Sequence, residues 1–342
     1  MSVKRKIIIF AIITILVIGI TIFIIKKIHQ DSSEGFNQID SNYFLIERKK
    51  GLFENRNDDN PISFITSQYV SIIERQNNWI LIDWYSIPKW IDLDFLPSTN
   101  ELTEILMHFG ETISIYFENL ETGFIFGYNA EIEQFSASVT KASFALYLYN
   151  LAEQGIIDLD TYLEYTPYDV NTGSGIIWTD YEIGTKFTKR ELVRLNLSYS
   201  DNIATTMLRR NLGTNGYREF IRNIGGNPNF VGENIFNSIL TANETGLFAR
   251  EIFKYIESNR KYSEEFKKAL LNNQFPFIIS DYQVASKSGW RRPNAWHDMA
   301  IIYAPSPFVL VILSTKYGWS DQDFDDFAEI TRVFQEFNNT WF

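Results

Sequence analysis

Ser138-Val139-Thr140-Lys141 leads into Ala142-Ser143-Phe144-Ala145-Leu146-Tyr147-Leu148-Tyr149-Asn150-Leu151, an uncharged run that stops short of Gly155. A helix built from that run is apolar on nearly every face, so it belongs in an interior, and Gly155 ends it. Ser138 stands where the chain enters the helix. Three residues are about one helical turn, so Lys141 shares its face. A serine hydroxyl is a weak nucleophile until a neighbouring base takes its proton. Lysine serves as that base when its amine is neutral, and burial, a helix N-terminus and a second cation all push its pKa down.

By itself the spacing says little, because S-x-x-K arises about once by chance in a chain of this length. A second copy, Ser86-Ile87-Pro88-Lys89, is indeed present. Pro88 disfavours the helical turn that would bring its serine and lysine together. The surroundings of the first copy carry the weight. Ser98–Phe109 has Leu102, Ile105, Leu106 and Phe109 at helical spacing, and Ile113–Glu118 with Gly123–Tyr128 reads as a hairpin around Asn119–Thr122. Thr188 with Glu191 forms a capping box ahead of Leu192, Val193 and Leu195. Tyr282–Ser286, Met299–Tyr303 and Phe308–Leu313 read as three strands, and Asp321–Phe337 as a closing amphipathic helix. Strands at both ends with helices between them predict an α/β (α+β) domain over 98–342. Its antiparallel sheet is assembled from both chain ends, flanked by helices, with an inserted helical lobe.

Two further motifs follow in that frame, Ser200-Asp201-Asn202 and Lys287-Ser288-Gly289. Lys287 is a candidate second cation for Lys141, Ser200 a proton relay toward a leaving nitrogen, and Asn202 a clamp for a substrate amide. Lys287 and Ser288 begin or edge a strand, along which a substrate can lie, with Ser288 and a nearby arginine holding its carboxylate. The backbone amides of Ser138 and Trp290 are candidates for an oxyanion hole. Arg291 and Arg292 read either as carboxylate binders or as solvated turn residues. Ser200 to Asn202 are also favoured capping residues for Ile203–Arg210. His297 and Asp298 invite a Ser–His–Asp reading, but the lysine motifs account for more of the sequence.

Composition closes off other chemistries. A formal charge of −11 and a pI near 4.9 exclude a nucleic-acid partner, which needs a concentrated basic surface. Without cysteine there is no disulfide, thiolate zinc site or thiol nucleophile. His29, His108 and His297 are too few and too scattered for a histidine metal centre, and neither metal nor organic cofactor is expected.

The first 97 residues divide differently. Lys4, Arg5 and Lys6 precede the uncharged run Ile7–Ile25, closed by Lys26 and Lys27. At about 1.5 Å per residue that run nearly spans a hydrocarbon core. It exceeds a signal-peptide core, and no small-x-small cleavage site follows in Lys26–Gly35. Residues 1–29 are therefore expected to be a transmembrane anchor. The basic excess favours a cytoplasmic N-terminus, placing the remainder outside the cell membrane. Residues 30–42 read as a polar tether. Residues 43–97 carry strand-like runs at Tyr43–Ile46, Ile62–Thr66, Tyr69–Ile73, Trp79–Trp84 and Lys89–Leu93, which predict a small all-β module. Its Asn77–Trp84 and Lys89–Leu93 stretches resemble bacterial SH3-like wall-associated modules. The other reading is an N-terminal extension packed on the main domain.

Ser138-x-x-Lys141, Ser200-Asp201-Asn202 and Lys287-Ser288-Gly289, in that order, resemble the motif set of the penicillin-recognising serine hydrolases, the class A β-lactamases and low-molecular-mass penicillin-binding proteins. The likeness runs from about Ile113 to the C-terminus, with Ser288 where the family usually has threonine. Trp296-His297-Asp298 to Tyr303 looks like the strand that follows the third motif. The resemblance implies a β-lactamase/transpeptidase-like fold, with catalytic Ser138, Lys141, Ser200 and Lys287. It also implies substrate contacts from Asn202, Ser288, Gly289, Trp290 and Arg291, and a β-lactam or peptidoglycan stem peptide as substrate. The sequence departs from the class A pattern at one place. No E-x-x-L-N, whose glutamate activates the deacylating water, lies between Asn202 and Lys287. Glu233 is the acid of the short loop Gly225–Leu240, a candidate deacylation base or a surface carboxylate.

Overall fold

In the computed structural model the chain divides into two compact units, Met1–Leu96 and Pro97–Phe342. The structure describes residues 43–46, 50–56, 63–65, 68–76, 79–84, 87–92, 100–231, 238–316 and 321–342. The expected anchor and tether lie outside the described residues. Among those described, no helix is long and apolar enough to cross a membrane.

The first unit is a six-stranded antiparallel sheet. Its strands are β1 (Tyr43–Ile46), β2 (Lys50–Phe53), β3 (Ser63–Ile65), β4 (Gln68–Gln76), β5 (Trp79–Trp84) and β6 (Ile87–Asp92), in the order β1-β4-β5-β6-β2-β3. Leu52, Phe53, Ile80, Ile82 and Ile91 are buried in it. β2 was not expected, since Gly51 interrupts its apolar pattern, but Leu52 and Phe53 pair with Ile91 and Trp90. Pro88 and Lys89 lie within extended β6, and Lys89 pairs with Glu54. The described residues of the second S-x-x-K, Ile87 to Lys89, are therefore extended rather than helical.

The second unit opens with α1 (Asn100–Phe109), then β7 (Ile113–Asn119) and β8 (Ile125–Tyr128). Short β9 (Gln134–Phe135) precedes the buried α2 (Thr140–Glu153). The helical lobe continues through β10 (Tyr162–Glu164), α3 (Ile177–Asp180), β11 (Lys186–Thr188), α4 (Lys189–Ser198), α5 (Asn202–Leu212) and α6 (Asn215–Asn223). After β12 (Ile239–Leu240) come α7 (Ala242–Glu257) and α8 (Ser263–Leu271), then β13 (Val284–Arg291), β14 (Ala295–Ile302), β15 (Phe308–Ser314) and α9 (Asp321–Trp341).

The five-stranded antiparallel sheet has the order β13-β14-β15-β7-β8, so both chain ends do contribute to it. β7, β14 and β15 are buried along their whole length because helices cover both faces. On one face Tyr116 packs so closely on α7 that a Cβ at Gly246 would lie 2.2 Å from its ring. On the other, Phe117 meets Phe334 and Phe337 of α9 with ring centroids 5.7 and 5.4 Å away. Thr188 caps α4 through the Glu191 amide at 3.1 Å, which is one half of the expected box.

One boundary differs in a way that matters. The sequence places a strand over Tyr282–Ser286, whereas β13 runs on to Arg291. Lys287-Ser288-Gly289 thus lies inside an edge strand, paired with Met299, Asp298 and His297 of β14. Apolar alternation fails to report this stretch because its partners are polar groups of the site.

Candidate active site

α2 is entered through a strained turn. Ala137 has φ +47°, and the Lys141 amide donates to the Ser138 carbonyl at 3.1 Å, which places the two motif residues on one turn. Gly289 closes that turn from the sheet side. A Cβ there would fall 2.4 Å from the Ser138 nitrogen and 2.8 Å from that of Val139, so only hydrogen fits. β13 thereby runs directly alongside Ser138, with Trp290 as the next residue.

Lys141 is fully buried. Its Nζ donates to the Ser200 carbonyl at 2.5 Å, to Asn202 Oδ1 at 2.8 Å and to Ser200 Oγ at 3.3 Å. Desolvation, and then the charge of Lys287, hold its pKa well below the ordinary lysine value, against the opposing pull of Asp201. A lowered pKa makes the amine easier to deprotonate, and only the deprotonated form has the lone pair that a base requires.

Ser200 has φ +53°, a left-handed backbone that is rare without glycine. Asp201 holds it there. That carboxylate is fully buried and accepts from the Ala204 amide at 2.9 Å, capping α5. Its other oxygen accepts from the Ile176 and Ile177 amides at 2.8 and 2.9 Å. It thus ties the second motif to the loop before α3. Asn202 donates through Nδ2 to the Thr172 carbonyl at 3.3 Å, and its amide to that of Ser174 at 3.1 Å.

The result is a cleft of about 380 Å³ lined by Ser138, Asn202, Trp290, Arg291, Phe135 and Ala137, with Asn171–Ser174 on the opposite lip. A larger cavity, about 620 Å³ between α4 and α8, contains none of the motif residues. Of the two, only the smaller is lined by motif residues, Ser138 and Asn202.

Lys287 is buried, with its pKa lowered to about 7 by desolvation against the opposing charge of Asp298; its Nζ donates to the Ser288 carbonyl at 2.6 Å. The Ser288 hydroxyl is also buried and donates to the Phe275 carbonyl at 2.5 Å. The structure thus gives Ser288 a backbone partner rather than a place on the cleft wall. Arg291 does reach the cleft, its guanidinium 4.6 Å above the Phe135 ring. Glu233 lies outside the described residues.

The His297–Asp298 alternative fails on geometry. His297 Nδ1 accepts from the Ser314 amide at 3.1 Å, so Nε2 carries the proton and donates to the Phe135 carbonyl at 2.7 Å. Burial lowers its pKa to about 4, so the ring is neutral and both nitrogens are engaged. Asp298 instead accepts from the Phe277 and Ile278 amides at 2.8 and 3.0 Å.

Sequence reasoning missed the tie through Asp201 and the lip Asn171–Ser174. The run Asn171-Thr172-Gly173-Ser174-Gly175 is visibly a loop, but its place beside Ser138 depends on hydrogen bonds to Asp201 and Asn202. Among the described residues no cluster of acidic or histidine side chains could hold a metal ion.

The model of the beta-lactamase enzyme family matches residues 97–336. The chain belongs to that family. Solved structures agree on the fold of this beta-lactamase-family domain. A beta-lactamase from Sphaerobacter thermophilus superposes with a TM-score of 0.62 at 18% identity, over 70% of this chain and 97% of its own. A beta-lactamase from Chitinophaga pinensis gives 0.60 at 20%, over 69% and 97%. A mutant of PBP-A, solved as an acyl-enzyme complex with penicillin G, gives 0.61 at 16%, over 71% and 98%. No curated protein matches the chain.

Proposed function

We propose that this is a membrane-anchored, externally facing serine acyl-hydrolase, class A β-lactamase-like, that forms an acyl-enzyme at Ser138. Its substrates are β-lactams or D-alanyl peptide amides. The observation that carries the reading is the buried Lys141, one turn from Ser138 and hydrogen-bonded to both Ser200 and Asn202. Lys141 takes the Ser138 proton as Oγ adds to the carbonyl carbon. The oxyanion that forms is received by the amides of Ser138 and Trp290. Ser200 relays the proton to the leaving nitrogen as the C–N bond breaks, and water then releases the acyl group. Anchoring through Ile7–Ile25 would hold this chemistry at the cell surface, with the first unit as a wall-associated module.

A second reading is a penicillin-binding-protein-like DD-peptidase that deacylates slowly. The sequence favours it at one point: between Asn202 and Lys287 no E-x-x-L-N is kept as such, the nearest run being Glu233-Asn234-Ile235-Phe236-Asn237, with phenylalanine in place of the leucine. Intact mass of residues 30–342 mixed with benzylpenicillin, followed over time with Ser138→Ala as control, tests both. An adduct that decays while penicillin is consumed supports the β-lactamase. One that persists for hours supports the DD-peptidase. No adduct together with no loss of penicillin, or an adduct that survives Ser138→Ala, refutes the acyl-enzyme.

A further inference from the structure

Among the described residues lining the cleft, Arg291 alone carries a charge. It is exposed, stacks on Phe135, and forms no ion pair with a described carboxylate. Its position along β13 gives that charge a direction. Gly289, sixth of the eight residues of β13, abuts Ser138, so the strand passes that serine two residues before Arg291. Toward its start, β13 borders Asn273–Phe275. Asn273 donates to Ser286 Oγ at 2.9 Å, and the Gln274 amide donates to the Ser198 carbonyl at 2.9 Å, two residues before Ser200. That end faces the proton donor of the leaving nitrogen. Arg291 lies at the other end, about 13 Å from Lys287 at strand spacing, against Phe135 of β9. A substrate aligned on this edge, with its leaving group at Ser200, presents its acyl side chain to Arg291.

We propose that Arg291 selects the charge of the acyl half of the substrate. It favours an acyl side chain bearing a carboxylate and disfavours one bearing an ammonium. This rests on Ser138 being acylated. It also separates Arg291 from Ser288, with which the sequence had grouped an arginine around one carboxylate on the leaving side. A matching wall substrate is a stem peptide whose residue on the acyl side carries a free carboxylate.

Three penicillins that share a nucleus test this: carbenicillin, whose side chain carries a carboxylate, neutral benzylpenicillin, and ampicillin, whose side chain carries an ammonium. Acylation rate constants are read by intact mass for the wild type, Arg291→Gln and Arg291→Glu. Thermal melting shows that each variant is folded. A single exposed ion pair shifts a rate by up to about fivefold, so the carbenicillin-to-ampicillin ratio should approach the square of that figure in the wild type. Relative to the wild type, the ratio should fall by up to that factor in Arg291→Gln, fall further in Arg291→Glu, and shrink in 0.5 M salt as screening sets in. Adducts forming at one unchanged ratio in all three proteins overturn the charge selection and leave the acyl-enzyme intact. No adduct together with no loss of any penicillin removes the acyl-enzyme and this inference with it.

Discussion

Replacing Gly289 by alanine exchanges a hydrogen for a methyl group at the most crowded point of the cleft. The new Cβ would stand 2.4 Å from the Ser138 nitrogen, 2.8 Å from that of Val139 and 3.0 Å from Ser138 Cα. Ordinary contact begins near 3.4 Å, so strand and nucleophile turn must part by about 1 Å. All three atoms are backbone, and no rotamer change can absorb the shift. Overpacking of this kind costs about 1–3 kcal/mol, which a domain of this size survives. The separation acts at the place where the proposed mechanism brings the amides of Ser138 and Trp290 onto one oxygen. Loss of one such donor costs about 2.7–4 kcal/mol, and a 1 Å misplacement alone about a hundredfold in rate. Gly289→Ala should therefore acylate about 100- to 1000-fold more slowly than the wild type while still melting cooperatively. Single-turnover acylation by benzylpenicillin, followed by intact mass beside a thermal melt, measures both. A folded Gly289→Ala that acylates within twofold of the wild type would refute the claim that β13 builds the oxyanion site.

Two further outcomes follow from the buried acids. Asp201→Ala leaves three buried amides without an acceptor, and should lower stability by about 3 kcal/mol and the melting temperature by about 6–12 °C; an unchanged melting temperature would show that the carboxylate is not what ties the loop. Burial raises Asp298 to about 7, so the folded protein holds a proton that the unfolded chain has lost above about pH 4. Its contribution is fully present below that pH and is lost as pH rises through about 7. Asp298→Asn keeps an acceptor for Phe277 and Ile278, and should flatten this slope and raise the melting temperature at pH 8. A melt-versus-pH curve from 4 to 8 that matches the wild type would contradict it.

Local patterning reported most of the elements. The apolar run after Lys141 became α2, the helical spacing before Phe109 became α1, and alternation located β7, β14 and β15 within a few residues. It failed where a strand serves the site. Ser286, Lys287 and Ser288 show no apolar period because their surroundings are Asn273, Phe275 and the nucleophile turn, so the end of β13 was lost. The roles of neighbouring residues were equally hidden. Arg291 and Arg292 look alike in the chain, yet Arg291 is the one that lines the cleft. His297 and Asp298 sit side by side on β14 but point to opposite faces, one to Phe135 and Ser314, the other to Phe277 and Ile278.

The sequence by itself determined what depends on neighbours a turn away: Ser138 and Lys141 on one helical face, the cap at Thr188, the buried character of α2. Those are properties of backbone geometry at short separation. Tertiary structure decided the electrostatics and the fit. Desolvation in the folded interior, and then the charge of Lys287, lower the Lys141 pKa, while the acceptors Ser200 and Asn202 fix where its amine points. Gly289 has to be glycine because a strand from the far end of the chain is pressed against Ser138. Desolvation and steric contact depend on what lies nearby in space, and only folding brings those groups together.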